Sequence, residues 1–144
     1  MSEDRKELIH AIFRMISSGD LSRLDELVDP EYEEHGPFPT APGIEGFREL
    51  VATFRAAFPD MELRAVEPIV EGDRAAWRVE GTGTHLGEFN CIRPTRQRVT
   101  FGGIDMGEIR DGRAYRYWSS PDLLGLLQQL GVIPEMAAPA SAKV

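Results

Sequence analysis

An Asp-Gly pair towards the C-terminal end of the chain, Asp111-Gly112, restricts the fold more than any other feature of the sequence. The pair separates two segments of strand-like composition, residues 99–109 and 114–119. A type I′ turn requires positive φ at both central residues, and Asp-Gly is one of the few pairs that supply it. The sequence therefore predicts a β-hairpin with a two-residue loop.

The two-residue loop also predicts the register of the hairpin, with Asp105 directly opposite Trp118. Because side chains alternate along a strand, these two residues then share a face with Phe101 and other apolar or small side chains. A carboxylate beside an indole on an apolar face is typical of a small-molecule pocket. Asp105 is therefore a candidate pocket acid, unless Arg116, diagonally across the hairpin, binds it in a buried ion pair.

The length and charge of the chain limit its class. Its 144 residues fit one domain, and its net charge of −8 argues against nucleic acid or an anionic membrane as a partner. The single cysteine, Cys91, excludes an intrachain disulfide. No segment approaches the roughly 18 apolar residues of a membrane helix, and the polar N-terminus lacks a signal-peptide core. We therefore expect a cytoplasmic protein.

The hydrophobic pattern changes from helical spacing to alternation along the chain. It predicts helices over residues 2–17, 20–28, 47–58 and 120–130, and strands over residues 61–70 and 75–84 in addition to the hairpin. The loop between the second and third helices has room for a short strand around Tyr32. This order predicts an α+β fold, in which a curved, mostly antiparallel sheet wraps around helices and encloses a cone-shaped cavity. Residues 1–133 are expected to form a single domain, and residues 134–144 a flexible tail.

Several short motifs between Glu7 and Gly131 occur together in one known family. They are Glu34-His35-Gly36-Pro37, Gly43-Ile44-Glu45-Gly46-Phe47, Phe58-Pro59-Asp60, Glu71-Gly72-Asp73-Arg74, the run from Gly81 to Phe89, and Trp118 followed by the run from Asp122 to Gly131. On these motifs the chain resembles the SnoaL-like polyketide cyclases of the NTF2-like superfamily, which also includes ketosteroid isomerases and limonene epoxide hydrolases. The loop over residues 90–96 departs from the family pattern, which leaves the substrate open.

The resemblance implies a cone-shaped α+β barrel that forms a homodimer and works without a metal or other cofactor. It also implies that an aspartate acts as general acid/base in the aldol closure of a polyketide ester, and Asp122 is the matching position. A structural role is the alternative, because Ser119 or Ser120 can cap the last helix, with Pro121 as its first residue and Asp122 in its first turn. The helix dipole favours an acid at that place.

The three histidines do not have the spacing of a metal site, so no metal is expected. His35 follows an acidic stretch in a loop, where an exposed histidine paired with a carboxylate is the ordinary arrangement. The resemblance adds His35 and His85 as candidate pocket residues, the first to polarise a carbonyl group and the second to contact the substrate.

Together these features predict an enzyme that binds a flat, apolar carbonyl compound, similar to a polyketide or a steroid, and moves a proton by acid/base chemistry. Asp122 is the expected proton carrier, and Asp105 or His35 is expected to orient the carbonyl group. Aldol cyclisation and isomerisation both fit, and an epoxide hydrolase is the closest variant. The side chains expected to contact the ligand are Trp118, Phe47, Phe54, Phe101 and His85.

A non-catalytic protein that binds a small apolar molecule is the alternative. In that case the cavity only holds its ligand, and the opposite face of the hairpin, with Met106, Tyr115 and Tyr117, serves for dimerisation. Two observations separate the interpretations: where Asp122 lies, and whether a second polar group reaches the cavity.

Overall fold

A curved, unclosed five-stranded sheet forms the frame of the protein, and the computed structural model describes residues 2–137. Most of the predicted tail, residues 138–144, lies outside the described residues. The elements in chain order are α1 (Ser2–Ser18), α2 (Leu24–Leu27), β1 (Val28–His35), α3 (Ile44–Ala57), β2 (Glu62–Glu71), β3 (Arg74–Thr84), β4 (Arg98–Arg110), β5 (Arg113–Pro121) and α4 (Leu123–Gln129).

The strands are arranged in the order β1-β5-β4-β3-β2. Strand β1 runs parallel to β5, and all other neighbours are antiparallel. The helix α1 packs along β2, and its residues Ile9 and Phe13 form a buried cluster with Ala65 of β2 and Trp77 of β3. The helix α3 packs against β1. This arrangement confirms the predicted α+β class with a mostly antiparallel sheet. Within residues 2–137, no helix has the length and apolar character needed to cross a membrane.

The turn of the predicted hairpin is confirmed. Asp111 has φ 52° and Gly112 has φ 75°, as a type I′ turn requires. Next to the turn, Ile109 pairs with Ala114, which is the predicted register.

One residue further from the turn, the register of the hairpin shifts. Glu108 pairs with Arg116, so Tyr115 is an extra residue in β5 and forms a bulge. The ring of Tyr115 lies under the guanidinium of Arg110, at 3.7 Å, and near that of Arg116, at 4.7 Å. These cation–π contacts hold the extra residue in place.

The bulge reverses the faces of the rest of β5, so the predicted pairing of Asp105 with Trp118 is wrong. Asp105 pairs with Ser119, and Trp118 pairs with Met106. Because a slip of one residue moves every side chain to the other face, Tyr117 points towards the helices. Tyr117 therefore does not belong to the outer face, where we expected it to serve for dimerisation.

The helix α4 closes one end of the space between the sheet and the helices. Its residues Leu126 and Leu130 are buried together with Phe58 and Val99. The prediction that Ser119 or Ser120 caps this helix is wrong, because β5 continues to Pro121 and Asp122 takes the N-cap position itself.

Candidate active site

A cavity of about 150 Å³ lies between the inner face of the sheet and the helices α1, α3 and α4. Its wall is mainly apolar, and it includes the three phenylalanines expected there, Phe47 and Phe54 of α3 and Phe101 of β4. A cavity of roughly this size holds one small aromatic ring when its walls are rigid. The interior of the fold is therefore open to a small molecule and is not filled by side chains.

Six polar side chains interrupt this apolar wall. They are Tyr32, Glu34, Asp105, Tyr117, Ser119 and Asp122. Among the described residues that line the cavity, none is lysine, arginine or histidine. The polar part of the cavity thus contains three carboxyl groups and three hydroxyl groups, without a side-chain cation to neutralise an anion.

Glu34 is the acid with the clearest perturbation. It lies on β1 two residues after Tyr32, and the hydroxyl of Tyr32 donates a hydrogen bond to its Oε2. Burial, together with the Asp105 carboxylate, raises the pKa of Glu34 from 4.5 to about 7, against the lowering effects of Tyr32 and His35. A carboxyl group that titrates near neutral pH exchanges protons readily under physiological conditions.

Asp105, on β4, is more deeply buried, with 4% of its surface exposed. The hydroxyl of Tyr117 donates a hydrogen bond to its Oδ2, and the backbone N–H of Ser120 donates to its Oδ1 at 3.3 Å. Burial raises the pKa of Asp105 above its usual range, although these hydrogen bonds oppose the rise. The buried ion pair with Arg116, the alternative for Asp105, is absent, because Arg116 contacts Glu33 instead, at 3.2 Å.

Asp122 lies at the mouth of the cavity and is exposed. Its Oδ1 accepts a hydrogen bond of 2.9 Å from the backbone N–H of Gly125, which caps α4. Asp122 therefore has a structural role at the start of α4, as the cap itself and not as a first-turn residue, and it also borders the cavity.

His35 and Trp118 do not line the cavity. Their rings stack against each other with centroids 5.3 Å apart and an angle of 14° between the planes. They lie on the outer face of the sheet, because Trp118 pairs with the exposed Met106 across the hairpin. His35 also contacts Glu33 at 3.2 Å, the ordinary arrangement of an exposed histidine with a carboxylate. The register shift thus replaces Trp118 with Tyr117 in the cavity wall.

His85 is fully buried, but it lies behind the cavity wall and not in it. Its ring packs against Phe58, with centroids 5.4 Å apart. Its Nδ1 accepts a hydrogen bond of 3.1 Å from the backbone N–H of Thr95. The contacts of His85 fix the loop that precedes β4. His85 therefore has a structural role in this fold, and the expected contact with a substrate in the cavity is not present.

Sequence reasoning missed four of the polar cavity residues: Tyr32, Glu34, Tyr117 and Ser119. The sequence pattern predicts a loop here, with room for a short strand around Tyr32 and with Glu34 in an acidic stretch. The spacing of two places both side chains on one face once β1 is recognised as a strand that extends to His35. The sequence predicts the outer face for Tyr117 because nothing in the local sequence indicates the bulge at Tyr115.

Comparisons with known proteins agree with this fold. The sequence profile of the SnoaL-like polyketide cyclase family matches residues 6–130. The chain is 31% identical to the aklanonic acid methyl ester cyclase AcmA of Streptomyces galilaeus, over 87% of this chain and 91% of that protein. It is 31% identical to the nogalonic acid methyl ester cyclase of Streptomyces nogalater, over 80% of this chain and 88% of that protein.

Among solved structures, TsrD from Streptomyces laurentii superposes with a TM-score of 0.83 at 32% identity, covering 91% of this chain and 97% of that one. The chain therefore belongs to the SnoaL-like polyketide cyclase family, whose fold is of the NTF2-like type. The relatives named as enzymes support a cyclase-like role.

Proposed function

We propose that this protein is a cofactor-independent enzyme that moves a proton on an apolar carbonyl compound, as in the aldol closure of a polyketide ester. One observation carries the proposal: two carboxyl groups, Glu34 and Asp105, face an apolar cavity, and each accepts a hydrogen bond from a tyrosine hydroxyl. General acid/base catalysis is most efficient when the pKa of the catalytic group is near the working pH. The pKa of Glu34, about 7, meets this condition.

The chemistry follows from these groups. The ionised Glu34 takes a proton from the carbon next to the substrate carbonyl, so that a C–H bond breaks and an O–H bond forms. The resulting enolate attacks a second carbonyl within the same molecule, and the new alkoxide takes up a proton from the site. A hydrogen-bond donor near the developing negative charge lowers the barrier. Tyr32 and Tyr117 donate their hydroxyl protons to Glu34 and Asp105, so Glu34, once it has taken the proton from carbon, is the donor at hand. The substrate and the product then have the same mass.

Asp122 is the other candidate for the proton carrier. It borders the mouth of the cavity, and the family resemblance points to its position. Its carboxylate already binds the N–H of Gly125, which leaves one oxygen for other partners. Glu34 is our first choice because the apolar surroundings that favour proton exchange lie deeper in the cavity.

The charge of the cavity indicates which substrates fit. Its lining contains carboxyl groups and no side-chain cation among the described residues, so a free carboxylate on the substrate has no partner and is repelled. An ester removes that charge. The names of AcmA and the nogalonic acid relative both specify methyl esters. We therefore propose a neutral, esterified substrate for this chain as well.

Aklanonic acid methyl ester is a suitable probe. Because the cavity holds about one aromatic ring, we propose that only the part of the ester that cyclises enters it and that the rest lies at the mouth beside Asp122. We expect the protein to convert it to a product of the same mass and different retention time by liquid chromatography–mass spectrometry, and to leave the free acid unchanged. In D2O, we expect exchange of the hydrogen next to the carbonyl group. Glu34→Gln is expected to lower kcat by about 100-fold or more, the usual contribution of a general base, while Asp122→Asn retains most of the activity.

The outcomes separate the alternatives. Loss of activity in Asp122→Asn but not in Glu34→Gln would assign proton transfer to the mouth of the cavity. Binding of the ester without exchange or conversion in the wild type would support the non-catalytic interpretation. Absence of binding to any neutral polyketide ester would refute the proposed substrate class.

A further inference from the structure

The two tyrosine–carboxyl pairs of the cavity are contiguous. Tyr32 donates to Glu34 on β1, and Tyr117 of β5 donates to Asp105 on β4. The parallel ladder between β1 and β5 places Glu34 directly beside Tyr117. The rings of Tyr32 and Tyr117 also lie next to each other, with centroids 6.4 Å apart. The four side chains therefore form one cluster across three adjacent strands.

The two carboxyl groups of this cluster are stabilised unequally in their ionised form. Asp105 accepts hydrogen bonds from Tyr117 and from the backbone N–H of Ser120, and the hydroxyl of Ser119 lies within reach of it. Glu34 accepts from Tyr32. Since a carboxylate with more donors loses its proton more easily, the negative charge belongs on Asp105 and the proton on Glu34.

Within residues 2–137, no cationic side chain lines the cavity beside this cluster. Arg116, which precedes Tyr117 on β5, points to the outer face of the sheet, where it binds Glu33 and Glu108. The titratable groups that act on Glu34 are Tyr32 and His35 of its own strand and Asp105 across the sheet. Two neighbouring buried carboxyl groups without a cation do not both ionise at moderate pH, and their protons come off in two coupled steps.

We propose that Asp105, held by Tyr117, is a positioning residue that fixes one proton on Glu34, so that the two carboxyl groups share a single proton over the neutral range. The sharing is a property of the unliganded protein, and only its use in catalysis rests on the proposed function. The cluster then contains a carboxylate and a carboxylic acid at the same time. During turnover Glu34 in its ionised form takes the proton from carbon and then gives it to the alkoxide, while Asp105 stays ionised, so the cluster ends with the protons with which it began.

A substrate-free titration tests this inference. We would follow the side-chain carboxyl carbons of Glu34 and Asp105 by 13C NMR between pH 4 and 9 in the wild type and in Asp105→Asn. In the wild type, we expect the carboxyl of Glu34 to titrate with an apparent pKa of about 7. In Asp105→Asn, the negative charge beside Glu34 is lost, and we expect its titration midpoint to fall by about one pH unit.

Tyr117→Phe provides a second test, because a purely structural role of Asp105 predicts no change in either titration midpoint. Without the hydroxyl of Tyr117, Asp105 holds a proton more tightly, so we expect the Asp105 midpoint to rise and that of Glu34 to fall. Glu108→Gln is the matched control, because it removes the same charge from the same strand on the side of the Arg116 ion pair. It should leave the Glu34 midpoint unchanged.

An unchanged Glu34 midpoint in both Asp105→Asn and Tyr117→Phe would overturn the inference, provided that the 1H–15N spectra show folded protein. If one variant does not fold, the other decides. Coupled titration without turnover of the ester would leave the shared proton in place and refute the proposed function. Turnover of the ester with independent titrations of Glu34 and Asp105 would support the proposed function and refute the shared proton.

Discussion

Replacement of Glu34 by glutamine tests the electrostatics of the cavity through stability alone. Glu34 has an ordinary pKa of 4.5, which burial raises to about 7 in the folded protein. The folded state therefore holds the proton more tightly than the unfolded state. By linkage, the free energy of unfolding falls as the pH rises from 4.5 to about 7, and this loss is complete above that range.

The size of the effect follows from the same values. A rise in pKa from 4.5 to about 7 corresponds to about 3 kcal/mol, at roughly 1.4 kcal/mol per unit. Because Glu34 is only partly buried, solvent screening reduces this, and we expect about 2 kcal/mol. Glu34→Gln has no charge to bury, so the variant should gain about 2 kcal/mol relative to the wild type between pH 5 and pH 8.

Urea denaturation at several pH values between 5 and 8.5 measures this difference. Glu33→Gln is the control, since Glu33 points away from the cavity and the hydrogen bond from Arg116 lowers its pKa. Both its folded and unfolded states are ionised over this range, so its difference from the wild type should not change with pH. Parallel stability curves for the wild type and Glu34→Gln would refute the claim that the carboxyl of Glu34 is destabilised by burial.

Two further predictions concern the cap and the outer face. Asp122→Ala should lower the free energy of unfolding by about 1 kcal/mol because the bond to the N–H of Gly125 is lost, whereas Asp122→Asn keeps most of it; equal denaturation midpoints would contradict the capping role. We also propose that the protein forms a homodimer through the outer face of β4, where Ile104 is 62% and Met106 is 42% exposed. In sedimentation velocity, the double variant Ile104→Glu, Met106→Glu should be a monomer, whereas the control Val132→Glu should remain a dimer. A monomeric wild type would overturn the proposal.

The order and type of the elements could be predicted because they depend on local patterns. Helical spacing of apolar residues and the Asp111-Gly112 turn lead directly to α1, α3, α4 and the hairpin. The start of α4 was misplaced, because Ser119, Ser120 and Asp122 are all good caps and only the length of β5 decides among them. That length depends on pairing with β4, which the local sequence does not specify.

The candidate site was predictable only in part, for a similar reason. Four cavity residues could be predicted because the periodicity of a single helix or strand gives their positions: Phe47, Phe54, Phe101 and Asp105. Glu34 was missed because β1 joins the sheet through parallel pairing with β5, a contact between residues about eighty positions apart. Pairing at such a distance leaves no signal in a short window of sequence.

The bulge in β5 determines the chemistry of the cavity. In the register predicted from the turn alone, Arg116 shares a face with Asp105, and an ion pair between them would hold the pKa of the carboxyl low. The extra residue, Tyr115, turns Arg116 outwards to Glu33 and brings the hydroxyl of Tyr117 to Asp105 instead. A tyrosine hydroxyl supplies a hydrogen bond without a positive charge, so Asp105 stays buried without a cation. One inserted residue thus exchanges an inert ion pair for carboxyl groups with raised pKa values, the state that proton transfer requires.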